Sequence, residues 1–250
     1  MSEQKFRQAL RDSKPMMGTF MKTPSPIIAE VLGLSDLDAI ALDAEHAPFG
    51  RTETDLCIAA LRAAKMPCLV RVSDDSASEL RNALDSGATG VIVPHVTSAE
   101  QAQRIVRACH FGDGGRGYAG SPRAAGYGTH SMQQHLEDSG KNTTVIVQIE
   151  DLPALSSAAD IAAVAGVDAA FIGRIDLAVA MGLSPMDKAV VDAVEDVCRA
   201  CTATGTAVGM FTPDLSELPR WRELGASLFL LSSDHSMLLR GANQLAAEIR

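Results

Sequence analysis

The sequence predicts an α/β protein built as a (β/α)8 TIM barrel. Three observations carry this. Short apolar, β-rich runs alternate with helical patterns along the whole chain, which is the signature of a parallel sheet with helical crossovers. Eight such pairs fit within 250 residues, the size of a (β/α)8 barrel in one domain spanning 1–250. An open doubly wound sheet usually carries a glycine fingerprint straight after its first strand, and Met16-Met17-Gly18-Thr19-Phe20-Met21-Lys22-Thr23-Pro24 has none.

The elements follow in order. The first strand is expected at 16–20, and the second at 39–45, where Ala39-Ile40-Ala41-Leu42 runs into Asp43-Ala44-Glu45-His46-Ala47-Pro48. A helical period covers 54–65. The third strand, 67–72, sets Arg71 inside the apolar run Cys68-Leu69-Val70-Arg71-Val72, and the fourth is 90–94, followed by a helix over 98–109. The fifth, 143–150, ends Val147-Gln148-Ile149-Glu150, and the sixth, 169–173, passes through Phe171-Ile172-Gly173 into Arg174-Ile175-Asp176-Leu177. Strands at 207–211 and 228–233 complete the set, and an apolar helical pattern follows over about 235–250. The one long irregular stretch, 111–141, is rich in glycine and proline and is expected to form a functional rim segment.

Composition narrows the function. The chain is 46% hydrophobic and 21% charged, enough to bury a full core, and its net charge of −9 with no basic block lacks the footprint of a nucleic-acid or anionic-membrane binder. No apolar run approaches the roughly 18 residues of a membrane span, and the polar start Met1-Ser2-Glu3-Gln4-Lys5 precedes no apolar stretch, so a cytoplasmic protein is expected. Five unevenly spread cysteines do not suit a disulfide framework. Cys198-Arg199-Ala200-Cys201 fits C-x-x-C but lies inside a helical pattern with no second pair, so both thiols read as structural. Gly112 to Gly117 matches G-x-G-x-x-G, yet it follows a helix instead of a strand, and the match is false.

Chemistry in a (β/α)8 enzyme sits at the C-terminal ends of the strands. Glu150 and Asp176 come from neighbouring strand ends, where two like charges raise each other's pKa unless a cation joins them. Two hard carboxylates with room for water and a chelating acid suit Mg²⁺ or Mn²⁺. The alternative for Asp176 is a place in the first turn of a helix. Arg71 in its apolar run needs an anion, either a substrate oxygen or a structural partner in Asp43 or Glu45. His46 follows these acids and has the unperturbed pKa of a base near neutral pH. Of the lysines, Lys5, Lys14, Lys22, Lys65, Lys141 and Lys188, only Lys22 approaches an inner strand end, which leaves a Schiff-base route little support.

These residues together resemble a family. Asp43-Ala44-Glu45-His46-Ala47-Pro48, Val70-Arg71-Val72, Val93-Pro94, Arg116-Gly117, Arg123-Ala124, Tyr127-Gly128, Gln148-Ile149-Glu150, Phe171-Ile172-Gly173 and Asp176-Leu177 are similar, in order and over essentially the whole chain, to the metal-dependent pyruvate aldolases of the 4-hydroxy-2-oxoheptanedioate aldolase type. The resemblance implies a barrel of the phosphoenolpyruvate/pyruvate type, a divalent cofactor (Mg²⁺, Mn²⁺ or Co²⁺), and reversible cleavage of a 4-hydroxy-2-oxo acid to pyruvate and an aldehyde through an enolate. It implies that Glu150 and Asp176 hold the metal, that Arg71 contacts the keto oxygen, and that His46 with Asp43 handles protons. Gln148 would lie beside the site, and amides from Gly173 through Arg174 and Ile175 to Asp176 would receive the pyruvate carboxylate. It also implies a homo-oligomer, a hexamer, with terminal helices, here the C-terminal one over about 235–250, making contacts between subunits. A lyase or synthase acting on a CoA thioester or oxaloacetate could use the same site and is the alternative function.

The chain departs from the pattern at one place. Members carry Gly-Pro-Ala/Thr-Asp where this sequence has Gly173-Arg174-Ile175-Asp176. Arg174 either attracts an anionic group of the substrate or leans outward to a surface acid such as Asp151 or Asp187.

Overall fold

The structure is a computed structural model and describes residues 3–249. Eight parallel strands close into a barrel in sequence order, β1 to β8, with β8 pairing back to β1. They are β1 Met16–Met21, β2 Ala39–Asp43, β3 Cys68–Arg71, β4 Gly90–Val93, β5 Thr144–Ile149, β6 Ala169–Ile172, β7 Ala207–Phe211 and β8 Ala226–Ser233. Each expected strand is present, several trimmed by one or two residues at the end that turns toward the mouth.

Helices coat the outside: α2 Pro26–Gly33, α3 Arg51–Ala63, α4 Ala77–Asp85, α5 Ala99–Cys109, α6 Met132–Asn142, α7 Leu152–Ala162, α8 Arg174–Met181, α9 Lys188–Ala203, α10 Leu218–Glu223 and α11 Asp234–Ile249. Preceding them all, α1 Glu3–Arg11 drives Phe6, Ala9 and Leu10 against the inward side chains of the strands and stoppers the N-terminal end of the barrel.

Alternation along each strand sorts the side chains into two cores, because successive residues point to opposite faces. Ile40, Leu42, Val70, Val91, Val93, Val145 and Val147 pack outward under the helices. Ala39, Ala41, Leu69, Ile92, Ile146, Ala169, Phe171, Leu228 and Leu230 fill the interior. Small and large residues alternate there, and Phe20 meets the edge of Phe171 with ring centroids 6.2 Å apart. The same parity continues upward into polar residues. After Ala39 and Ala41 comes Asp43; after Leu69, Arg71; after Ile146, Gln148 and then Glu150; after Phe171, Gly173; after Phe20, Lys22. Strand phase alone therefore aims the charged groups into one mouth.

The stretch 111–141 corrects the sequence reading. It joins α5 to β5, so it lies at the N-terminal end of the barrel, away from the mouth, and its last third is the helix α6. Arg116 binds Asp85 at the end of α4, and Arg123 grips Asp55 at 2.7 and 2.9 Å. The five cysteines are all buried as free thiols, and Cys198 and Cys201 sit in the middle of α9 as expected, their thiols pushed up by burial to about 12.

Candidate active site

The mouth is built from β2 and β3 first. Asp43 and Arg71 are register partners on adjacent strands, so their side chains share one layer. Asp43 Oδ1 accepts from Arg71 Nε at 3.0 Å and Nη2 at 2.8 Å, and also from the main-chain N–H of His46 at 3.1 Å. Its Oδ2 accepts from Lys22 Nζ at 2.6 Å. Burial raises the Asp43 pKa, but Arg71, Lys22 and the His46 N–H outweigh it and hold the carboxyl below its ordinary range. Arg71 stacks over the Phe20 ring at 4.6 Å and lies 3.2 Å from Glu45 Oε2. Both structural partners named for Arg71 are thus in contact with it.

His46 is half exposed on the loop after β2, its Nε2 3.8 Å from Glu45 Oε2. Asp43 reaches the main chain of His46, whereas the neighbour of the ring is Glu45.

Across the barrel, β5 supplies Gln148 and Glu150. Glu150 is 2% exposed. Its Oε2 accepts from Gln148 Nε2, and its Oε1 accepts from the main-chain N–H of His95 at 2.9 Å. Burial pushes its carboxyl upward and the Asp176 charge adds to this, with the His95 and Gln148 donors opposing. Gly173 is required beside it: a Cβ there would stand 2.6 Å from Glu150 Oε2. Asp176 is half-buried in the first turn of α8, the helix position named as its alternative. The N-cap of that helix is Gly173, which offers no side-chain cap, so first-turn N–H groups face the mouth without an intrahelical acceptor. Ile175 lies exposed on the outer edge of this turn.

Arg174 is buried, not leaning outward. Its guanidinium forms a bidentate pair with Glu217 at 2.7 and 2.8 Å and stands 5.6 Å over Trp221. The partner is neither Asp151 nor Asp187, and the charge offered to the mouth is neutralised on its own side of the barrel.

Three residues that sequence reasoning passed over complete the mouth. In the sequence Lys22 offers only a Schiff-base candidate, yet its ammonium holds Asp43. Glu45 reads in the sequence only as a partner for Arg71. His95, directly after Val93-Pro94 at the end of β4, contacts Asp151 Oδ2 at 3.0 Å, Glu45 Oε1 at 3.4 Å and Glu150 Oε1 at 3.4 Å. The strand-end rule that found Glu150 applies to this position too.

The donor chemistry suits a hard divalent cation. Four carboxylates, Asp43, Glu45, Glu150 and Asp176, face two cationic side chains, Lys22 and Arg71, and Gln148 Oε1 is buried without a hydrogen-bond partner. Glu45, His95 and Glu150 also bring one donor atom each to within 4.8 Å of one another, with His95 the exposed member of the three.

Fold and mouth together define a class, a (β/α)8 barrel with carboxylates, an arginine and a lysine gathered at the C-terminal ends of its strands. The chain belongs to the HpcH/HpaI aldolase/citrate lyase family, whose model matches residues 16–240. It is 32% identical to a hydroxypyruvate/pyruvate aldolase of Paraburkholderia phytofirmans, over 98% of this chain and 97% of the relative. It is 33% identical to a 5-keto-4-deoxy-D-glucarate aldolase of Salmonella arizonae, over 97% and 95%. A crystal structure of a family protein from Burkholderia cenocepacia superposes with a TM-score of 0.93 at 33% identity, covering 99% of both chains. A citrate synthase superposes with a TM-score of 0.86 at 25% identity, covering 97% of this chain and 96% of the other. This agrees with the resemblance read from the sequence, and with an aldolase-type lyase acting on pyruvate or a related 2-oxo acid.

Proposed function

We propose that the chain reversibly cleaves a 4-hydroxy-2-oxo acid to pyruvate, or a related 2-oxo acid, and an aldehyde. The observation that carries this is the excess of buried carboxylate at the mouth, with Glu150 at 2% exposure beside Asp176 and a guanidinium fixed by Asp43 at the ends of the paired strands β2 and β3. A Mg²⁺, Mn²⁺ or Co²⁺ ion held by Glu150 and Asp176 would supply Lewis-acid polarisation of the 2-oxo group. Arg71, locked by Asp43, places a permanent charge where the enolate oxygen forms when the C3–C4 bond breaks. The main-chain N–H groups of Arg174, Ile175 and Asp176 receive the carboxylate, and Gln148 lines the site beside Glu150. His46 takes the proton from the C4 hydroxyl, with Asp43 fixing its backbone and Glu45 beside its ring.

The test is proton exchange. Pyruvate is incubated with the protein in deuterated water, with Mg²⁺ and after chelation, and its methyl signal is followed by NMR before a panel of aldehydes is added. Exchange with the cation, none without it, and formation of hydroxy-oxo acids are expected. An enzyme that exchanges no proton and condenses no aldehyde in either condition ends the proposal. The citrate synthase likeness favours one second reading, a reaction on a CoA thioester or oxaloacetate at the same site. It would appear as turnover of oxaloacetate with acetyl-CoA and no activity toward aldehydes.

The same reading treats residues 1–250 as one barrel domain that works in the cytoplasm as a homo-oligomer, a hexamer. Its support is α11, which presents Leu238, Leu239 and Leu245 to solvent. No helix among the described residues is long and apolar enough to cross a membrane. Light scattering at micromolar concentration is expected to report the hexamer, and a monomer would contradict it.

A further inference from the structure

His95 has φ of 56°, the left-handed region that a histidine seldom adopts. It follows Pro94, which has no N–H to give, and precedes Val96. Two consecutive main-chain donors then go to the same strand: His95 N–H to Glu150 Oε1 at 2.9 Å, and Val96 N–H to the Gln148 carbonyl at 3.2 Å. In an extended chain, successive N–H groups point to opposite sides. A left-handed residue within the pair turns both to one side, as in an anion-binding nest.

We propose that His95 is a positioning residue for Glu150, acting through its left-handed backbone and not through its imidazole. This rests on the reading of Glu150 as a cation ligand. The carboxylate has about four lone-pair directions. One on Oε2 is taken by Gln148 and one on Oε1 by the His95 N–H, so the group is pinned at both oxygens while each keeps a lone pair for a cation. The imidazole is a separate matter. It is 59% exposed, and its Nδ1 hydrogen-bonds Asp151 Oδ2 at 3.0 Å while standing 3.4 Å from Glu150 Oε1, so the shorter donor to Glu150 is the main-chain N–H at 2.9 Å.

The experiment compares His95→Gly, His95→Asn and His95→Val by titration with Mn²⁺, reading free ion by electron paramagnetic resonance. Calorimetric melting runs in parallel. Glycine adopts positive φ freely and asparagine tolerates it, whereas a β-branched valine resists it. Gly and Asn are expected to bind Mn²⁺ within about threefold of the wild type, and Val about 10- to 100-fold more weakly, the usual loss when a ligand's supporting hydrogen bond fails. If the Val variant does not fold, His95→Ala takes its place, with a dissociation constant expected to exceed that of the Gly variant. Equal losses in all variants would make the ring the acting group and overturn the proposal. So would wild-type affinity in every one of them. A wild type that binds no Mn²⁺ at all would overturn the cation reading itself, and this proposal with it.

Discussion

Asp168, at the N-terminal end of the barrel, accepts from Arg7, from Arg11 and from the main-chain N–H of Val145. Asp43, at the opposite end, accepts from Arg71, from Lys22 and from the main-chain N–H of His46. Each is a buried carboxylate saturated by two cations and one amide. Around Asp168, α1 seals the end with Phe6 and Leu10. Around Asp43 there are further carboxylates, Glu45, Glu150 and Asp176, and an unpartnered Gln148 oxygen. One motif closes a barrel at one end and anchors Arg71 in the mouth at the other. What surrounds it decides which.

The largest test of that comparison is Asp168→Asn. It leaves Arg7 buried beside a neutral group, and breaking a buried pair in this way costs about 3–5 kcal/mol. Urea unfolding should show the full loss, and an unchanged midpoint would mean that α1 alone seals the barrel. At the mouth the matching change is Arg71→Lys, expected to lower kcat about 10²-fold because a lysine cannot reproduce the fixed guanidinium. Its melting temperature should fall less than that of the Asp168 variant. The reverse order would make the Asp43–Arg71 pair the structural one.

Gly173→Ala comes next. Its Cβ would press on Glu150 at 2.6 Å, and relief of such overpacking costs about 1–3 kcal/mol, visible in both Tm and cation affinity. Glu150→Gln should abolish Mn²⁺ binding yet leave the cation-free protein as stable as the wild type or more so, since burial already disfavours that charge. A large drop in Tm without metal would show that the charge holds the fold.

The smallest effect is in pH. His110 and His135, both at the N-terminal end, are held below their ordinary range, chiefly by burial. Because the unfolded chain takes up protons first, their contribution is complete above about pH 6.5 and declines as pH falls from there toward the depressed folded values. Asp43 has the opposite character, with a folded pKa below its unfolded one. Its contribution holds above about pH 4 and is lost only as pH falls through the folded value. Tm should therefore decline first between pH 7 and 5, and His135→Gln should flatten that limb. A flat profile for the wild type would separate the two histidines from stability.

The barrel was legible because its strands are buried on both faces and so form short apolar runs. Asp43, Arg71, Gln148 and Glu150 were legible because a polar residue ending such a run must lie at the mouth. The misplaced stretch 111–141 shows the limit of composition: glycine and proline mark a loop, but only its position after a helix and before a strand says which end it occupies. Arg174 could not be resolved from sequence, because its partner Glu217 is 43 residues away on a different βα unit. His95 escaped for another reason. Its contribution is a main-chain N–H and a dihedral angle, and neither is written in the identity of a side chain.

Burial of all five cysteines also has a practical side. With every native thiol shielded, a maleimide label would meet no competing sulfhydryl on the folded surface. Val179→Cys in α8 and Tyr127→Cys at the opposite end, both at exposed positions, would each give a protein with one addressable handle. A spin label or fluorophore at either site could then report separately on the two ends of the barrel as cation and 2-oxo acid are added.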